Sequence, residues 1–314
     1  MITSFIFLIL TLTTIDADVI ENNNLKVSLS KDSGLVMINE VMLKESRMFD
    51  VDVASSDLKQ NLTLTNEVCT YKETNKTNVS VTYVYACQGF PSQDAKSIPA
   101  NLIVRTNYAL RSSFLTKTIS IGSTRPYSST EGEFTVLSAT LFDSLYIEGS
   151  DSVLIQSNPY QSQYQIVAFS RNSRTNVSAF VSAANPFTQI TESSRNLTTR
   201  VEPHFTQTPE HPEAYYEIEP AILGLVHVTS KYVDILTNIN IDERRSFLDC
   251  VTSFLLDSES RQDKSVKVNV AWDENDYQID VGTSAGVEEY RRIIDRNSEW
   301  GVTHVVYVFC SSII

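Results

Sequence analysis

The chain has 314 residues, 42% of them apolar and 20% charged. That is enough apolar content for a real core, and it rules out global disorder. Lys and Arg number 25 against 38 Asp and Glu, a formal charge of −13 that sets nucleic-acid binding aside.

At the amino end, Ile6 to Thr13 reads IFLILTLT inside an uncharged stretch. The run is too short to span a bilayer and suits the apolar part of a secretory signal over residues 1–17, with Ala17 as the small cleavage residue. No Lys or Arg precedes it, so the α-amino group supplies the positive charge; a buried strand or helix is the other reading. Five N-x-[ST] sequons follow, at Asn61, Asn75, Asn78, Asn176 and Asn196, each in or beside a polar, turn-like stretch. No second apolar segment of membrane length appears. The expectation is an exported glycoprotein, secreted or lumenal in the secretory pathway.

From Val19 to about Thr229 the apolar pattern has period two, as in Leu25–Leu29 and Val79–Ala86. Further strands are expected at Ala100–Leu110, Phe114–Ile121, Phe134–Ile147, Val153–Gln156, Tyr164–Phe169, Val177–Ala183 and within Ala214–His227. Turn signals such as Ser33-Gly34, Glu148-Gly149 and Asn158-Pro159 separate them. The predicted class is mainly β: one large antiparallel β-sandwich over residues 18–256, closed by a helix at Asp242–Leu256. Of the four cysteines, Cys69 and Cys87 flank two strands around a polar turn. An oxidising compartment would close a bridge there, worth about 3 kcal/mol in the chain-entropy picture; two buried thiols is the alternative. Cys250 and Cys310 have no evident pairing.

Residues 257–264 (DSESRQDK) carry no apolar side chain except the stems of the charged ones and mark the domain boundary. Residues 265–314 then change style. Ser265–Trp272 reads as a strand and Asp273–Thr283 as an acidic loop. Ser284–Trp300 reads as a helix with Ser284 as cap, a stripe of Val287, Tyr290, Ile293 and Ile294, and a Glu288–Arg292 pair. Val302–Phe309 is a second strand. Strand, helix, strand implies a parallel pair with a right-handed crossover, which expects further strands as neighbours. A short, incomplete βαβ unit either docks as a subdomain or is the truncated start of a (β/α)₈ barrel, and truncation is the favoured expectation.

LKVSLSKDSGLVMINEV (25–41), the run from Leu110 to Leu145, and VNVAWDEND followed by EEYRRIIDRNSEWGVTHVVYV together resemble the α-galactosidase-like glycoside hydrolases. Members of that group place a β-supersandwich before a catalytic (β/α)₈ barrel. The resemblance implies a retaining hydrolase whose two carboxylates stand on later barrel strands, so no catalytic residue carries over and this span alone is expected to be inactive. What carries over is the rim after the first barrel strand, Trp272, Asp273, Glu274 and Asp276, as sugar contacts. Glu210-His211-Pro212-Glu213 reads as a polar loop, and His304 as a core or barrel-facing histidine on a strand rather than a base. No metal is implied, since C-x₂-C is absent and the four His are scattered. No G-x-S-x-G, G-x-G-x-x-G or Walker motif occurs, so neither a serine hydrolase nor a nucleotide cofactor is implied. The expected partner is carbohydrate, with no nucleic acid and no membrane span. A carbohydrate-binding or adhesion module and a ligand-free structural glycoprotein are the competing readings.

Overall fold

The computed structural model describes residues 17–55, 58–89, 98, 101–123, 134–157, 164–185, 188–202, 205–207, 215–234, 237–257, 268–271, 283–299 and 304–307. The signal segment, Cys310 and the Glu210–Glu213 loop lie outside them. In chain order the strands begin β1 (Asp18–Glu21), β2 (Lys26–Ser30), β3 (Gly34–Ile38), β4 (Val41–Lys44), β5 (Asp50–Ser55) and β6 (Asn61–Thr65). Then come β7 (Thr70–Lys76), β8 (Ser80–Gln88), β9 (Asn101–Leu110), β10 (Phe114–Ser123), β11 (Phe134–Ile147) and β12 (Ser152–Ser157). The series continues with β13 (Gln165–Asn172), β14 (Val177–Ala183), β15 (Thr188–Ser193), β16 (Asn196–Val201), β17 (Phe205–Gln207) and β18 (Tyr216–His227). Helix α1 (Ile241–Asp257), β19 (Val268–Ala271), α2 (Ser284–Glu299) and β20 (His304–Tyr307) complete the described elements.

The chain divides into two compact units, Met1–Val251 and Thr252–Ile314. The first is the expected antiparallel β-sandwich. Its eight-stranded sheet runs β12-β13-β14-β18-β10-β9-β8-β7, and its ten-stranded sheet is built around the long β11. On one side of β11 lie β16 and β17. On the other lie β4 and β5, which follow one another along it with a jog at residues 45–49. Alternation explains which faces meet. Val81, Tyr83, Tyr85 and Cys87 of β8 point into the core, as do Leu115, Lys117, Ile119 and Ile121 of β10. Opposite them stand Leu29, Leu35, Phe49, Val51, Val53, Leu141 and Phe142 of the larger sheet, in one continuous buried cluster. The Phe49 and Tyr85 rings cross that interface edge to face at 5.1 Å.

Helix α1 covers the outer face of the smaller sheet, which is why Phe114, Phe169 and Phe180 are buried although they point away from the core. The Phe247 ring meets Phe169 at 6.5 Å and Phe180 at 5.9 Å. The Phe180 ring occupies the space a Cβ on Gly224 would need. The helix starts on a capping box. Asn240 Oδ1 accepts from Asp242 N at 2.8 Å, and Glu243 Oε2 accepts from Asn240 N at 3.0 Å. Glu243 also receives the Arg171 guanidinium at 2.6 and 2.7 Å, so the cap is tied to β13. Asp242 accepts from the Thr229 and Ser230 amides, which hold its carboxyl below the usual range. Asn240→Ala should therefore cost about 1–2 kcal/mol in chemical denaturation; an unchanged midpoint would show the cap to be idle. The Cys250 thiol on this helix is unbridged, 3.8 Å from Ser113 Oγ, and burial pushes its pKa up to about 11.

In the second unit β19 and β20 pair in parallel, as the strand–helix–strand pattern predicts. Two local expectations there are corrected. Thr283, not Ser284, caps α2: its hydroxyl accepts from Gly286 N at 3.0 Å, which places Ser284 inside the first turn. The ion pairs are Glu288–Arg291 and Glu289–Arg292, both at i,i+3, rather than Glu288–Arg292. Of the expected apolar stripe only Tyr290 is fully buried; Val287 and Ile294 are more than a third exposed. Residues 258–264 of the expected linker lie outside the described residues.

Candidate functional site

The Cys69–Cys87 bridge forms, with Cα atoms 4.5 Å apart, because the Thr70↔Ala86 register of β7 and β8 brings the two residues face to face. Asn61, Asn75, Asn78 and Asn176 are exposed, and Asn196 is half-buried. Trp272, Asp273, Glu274 and Asp276 lie outside the described residues. Among those described, no group of three or more His, Cys, Asp or Glu side chains gathers as a metal site, and no helix is long and apolar enough to cross a membrane.

Three polar constellations stand out in the sandwich, and the sequence reading singled out none of them. The first is sealed in the core. Glu45, at the jog between β4 and β5, receives Lys117 Nζ at 2.9 and 3.1 Å and the Tyr108 hydroxyl at 2.8 Å. Glu45, Lys117 and Tyr108 are fully buried. The ammonium also lies 5.2 Å from the Tyr108 ring and 5.1 Å from the Phe142 ring. Burial pushes the Glu45 carboxyl up and the Lys117 ammonium down, and each charge pulls the other back. The β2–β3 turn closes against this pair: Gly34 sits at φ +82°, and a Cβ there would collide with the Glu45 carboxylate and the Tyr108 hydroxyl. Full burial of all three side chains, each satisfied by the others, fits a centre that ties the two sheets together.

The second lies on the outer face of the larger sheet. Register aligns Thr65, Asp50, Thr140, Arg200 and Gln189 in one row across five strands, and Thr63, Asp52 and Ser138 in the next. Asp52 accepts from Thr63 Oγ1 at 2.7 Å, Ser138 Oγ at 2.8 Å and Arg200 Nη2 at 2.7 Å. Asp50 is held less tightly, with Arg47 Nη1 at 3.4 Å. Half-burial, and then the neighbouring charge of Asp52, raise the Asp50 carboxyl. Asp52 is thus saturated by protein donors, which makes this cluster a cross-strand clasp with one under-used carboxylate at its edge.

The third is a half-open pocket of about 440 Å³ lined by Tyr146, Ile147, Gly149, Ser150, Ser194 and Arg195. That volume lies in the range of small-molecule sites. Tyr146, at the end of β11, is 45% exposed while its neighbours Leu145 and Ile147 face the core. Two turns form the walls. Gly149 in the β11–β12 turn has φ +69°, and Ser194 and Arg195, the two-residue turn between β15 and β16, have φ +51° and +69°. Arg195 Nη1 donates to Ser150 O at 3.0 Å and bridges the turns. Arg195 precedes Arg200 by five residues, about 17 Å by strand rise. An open aromatic ring, a guanidinium and two hydroxyls in a concave site can stack on an apolar ring face and hydrogen-bond the groups around its rim.

No family model matches the chain, and no curated protein does. Among solved structures, a candidate aldose 1-epimerase from Escherichia coli K12 aligns at a TM-score of 0.42 with 9% identity, over 67% of this chain and 98% of its own. A 4-alpha-glucanotransferase from Thermococcus litoralis aligns at a TM-score of 0.31 with 9% identity, over 66% of this chain; the chain spans only 37% of its length. At these scores neither likeness assigns a function.

Proposed function

We propose that the chain is an exported carbohydrate-binding β-sandwich followed by a βαβ unit of glycoside hydrolase-like type. The observation that carries the binding is the Tyr146 pocket. A sugar ring presents C–H groups on one face and hydroxyls around its edge, and the pocket pairs an exposed phenol ring with Ser150, Ser194 and Arg195. Export is supported by the Cys69–Cys87 bridge, which needs an oxidising compartment, and by four exposed sequon asparagines. The parallel β19–β20 pair joined by α2 supports the hydrolase-like reading of the second unit, with Trp272, Asp273, Glu274 and Asp276 as a second place for sugar contacts.

A glycan array on the purified chain tests the reading. Retention of a defined set of glycans is expected, lost on Tyr146→Ala by about tenfold or more and unchanged on Trp272→Ala. The opposite pattern would move the site to the rim, and no retained glycan would leave a structural glycoprotein. Peptide mapping of material from a eukaryotic secretory host should find glycans on Asn61, Asn75, Asn78 and Asn176. Bare asparagines throughout would remove the case for export.

A further inference from the structure

We propose that the Tyr146 pocket takes a saccharide bearing an acidic group, a uronate carboxylate or a sulfate ester, and that Arg195 reads that group. The inference rests on the carbohydrate reading above and narrows it. The six lining residues include one charged side chain, Arg195, and no carboxylate. A guanidinium has five N–H donors in a fixed fork matched to carboxylate and sulfate oxygens. Here the side chain spends one of them, on Ser150 O.

Three carboxylates stand on the flanking turns, Glu148, Asp151 and Glu192, and none lines the pocket. Glu192 Oε1 accepts the Arg195 backbone amide at 2.6 Å. Asp151 takes the Ser173 amide at 2.8 Å and the Ser173 hydroxyl, and also feels the Arg195 charge.

Backbone conformation supports the same assignment. A two-residue hairpin turn with both central residues at positive φ is a place for Asn-Gly. Ser194-Arg195 occupies it instead, with Ser193 paired to Asn196 on either side. A long side chain in the left-handed region is costly, and such strain gathers at ligand sites where the surroundings hold it. From this turn the Arg195 side chain reaches the β11–β12 turn at Ser150 O and lines the pocket.

Calorimetric or saturation-transfer titrations with galacturonic and glucuronic acid, their neutral parents galactose and glucose, and a sulfated galactose test the proposal. The acidic sugars should bind about 10- to 100-fold more tightly than the neutral ones, and the preference should shrink with added salt. The better of the uronate and sulfate arms identifies the acidic group. Arg195→Gln should abolish the preference while leaving neutral-sugar binding through Tyr146, and Arg195→Lys should keep part of it. Both replacements retain the turn's strain, so an unchanged melting midpoint confirms that folding is not being read. Equal binding of neutral and acidic sugars, or a preference that survives Arg195→Gln, would overturn the proposal while leaving carbohydrate binding intact. Absence of binding by every sugar would overturn the carbohydrate reading itself.

Discussion

Replacing Lys117 by Met should cost about 3–5 kcal/mol, because it strands the Glu45 carboxylate in a dry core. For a sandwich of this size that is a drop in melting midpoint of roughly 10 °C or more. The two groups meet at 2.9 Å with side chains wholly removed from solvent, so neither can turn to water when the other goes. The cost lies in the orphaned charge rather than in the pair's own worth. Removing the whole constellation, Glu45→Met with Tyr108→Phe and Lys117→Met, should therefore recover most of the loss. Tyr108 must be included, since its hydroxyl would otherwise lose its acceptor.

The single variant also acquires a pH signature. Burial already raises the Glu45 carboxyl, and the Lys117 charge is the foremost influence pulling it back. Without that charge the folded-state pKa climbs further above the unfolded value. A group shifted in that direction holds its stabilisation below the unfolded pKa and loses it as pH rises through the folded one. Lys117→Met should thus approach the parent in mild acid and fall away toward neutral and alkaline pH in urea titrations. A penalty that does not change with pH, or one below about 1 kcal/mol, would show that the pair is not charged in the folded protein.

Lys117 shows what the sequence did and did not disclose. Strands such as β11 and β14 could be read to the residue because apolar alternation and flanking turn signals agree there. Lys117 stands in the same alternation, at an inward position between Leu115 and Ile119, and that placement was a legible sign of a buried cation. Its partner was not legible. Glu45 continues the inward parity of Leu43 just past the end of β4, but nothing local in KESRM announces that it meets a cation from β10.

The β15–β16 hairpin escaped for a related reason. Its turn is Ser194-Arg195, with none of the Gly, Asn or Pro signals that a positive-φ pair calls for, so chemistry that breaks the turn rule hid the element that carries the pocket. The pocket itself joins residues 146–150 to 194–195 through the pairing of β11 with β16, a relation that only the folded register supplies. Tyr146 falls inside a strand that alternation assigns as core-facing. Only the parity of Leu145 and Ile147 marks it as outward.

Removing the disulfide, as Cys69→Ser with Cys87→Ser, should cost about 3 kcal/mol, near what the chain-entropy account gives for 18 residues of separation. The loss should fall unevenly. Strand β7 is the edge of the smaller sheet, pairs with β8 alone, and is exposed at six of its seven positions. It therefore has little apolar burial to hold it beyond the Tyr71 ring against Tyr85, and leans on its ladder to β8, the bridge at its start and the Asp18–Lys76 ion pair at its end. That ion pair is solvent-exposed enough to contribute little. Without the bridge, hydrogen exchange of the β7 amides should accelerate by about a hundredfold toward the fraying limit, while amides of β9 and β10 exchange almost as slowly as before. A freed edge strand also exposes the ladder groups of β8 as a template for another chain. The variant should then associate at concentrations where the parent stays monodisperse. Unchanged exchange in β7 after loss of both sulfurs would mean that strand pairing alone holds this edge, and that the bridge acts on the unfolded chain without tethering the folded one.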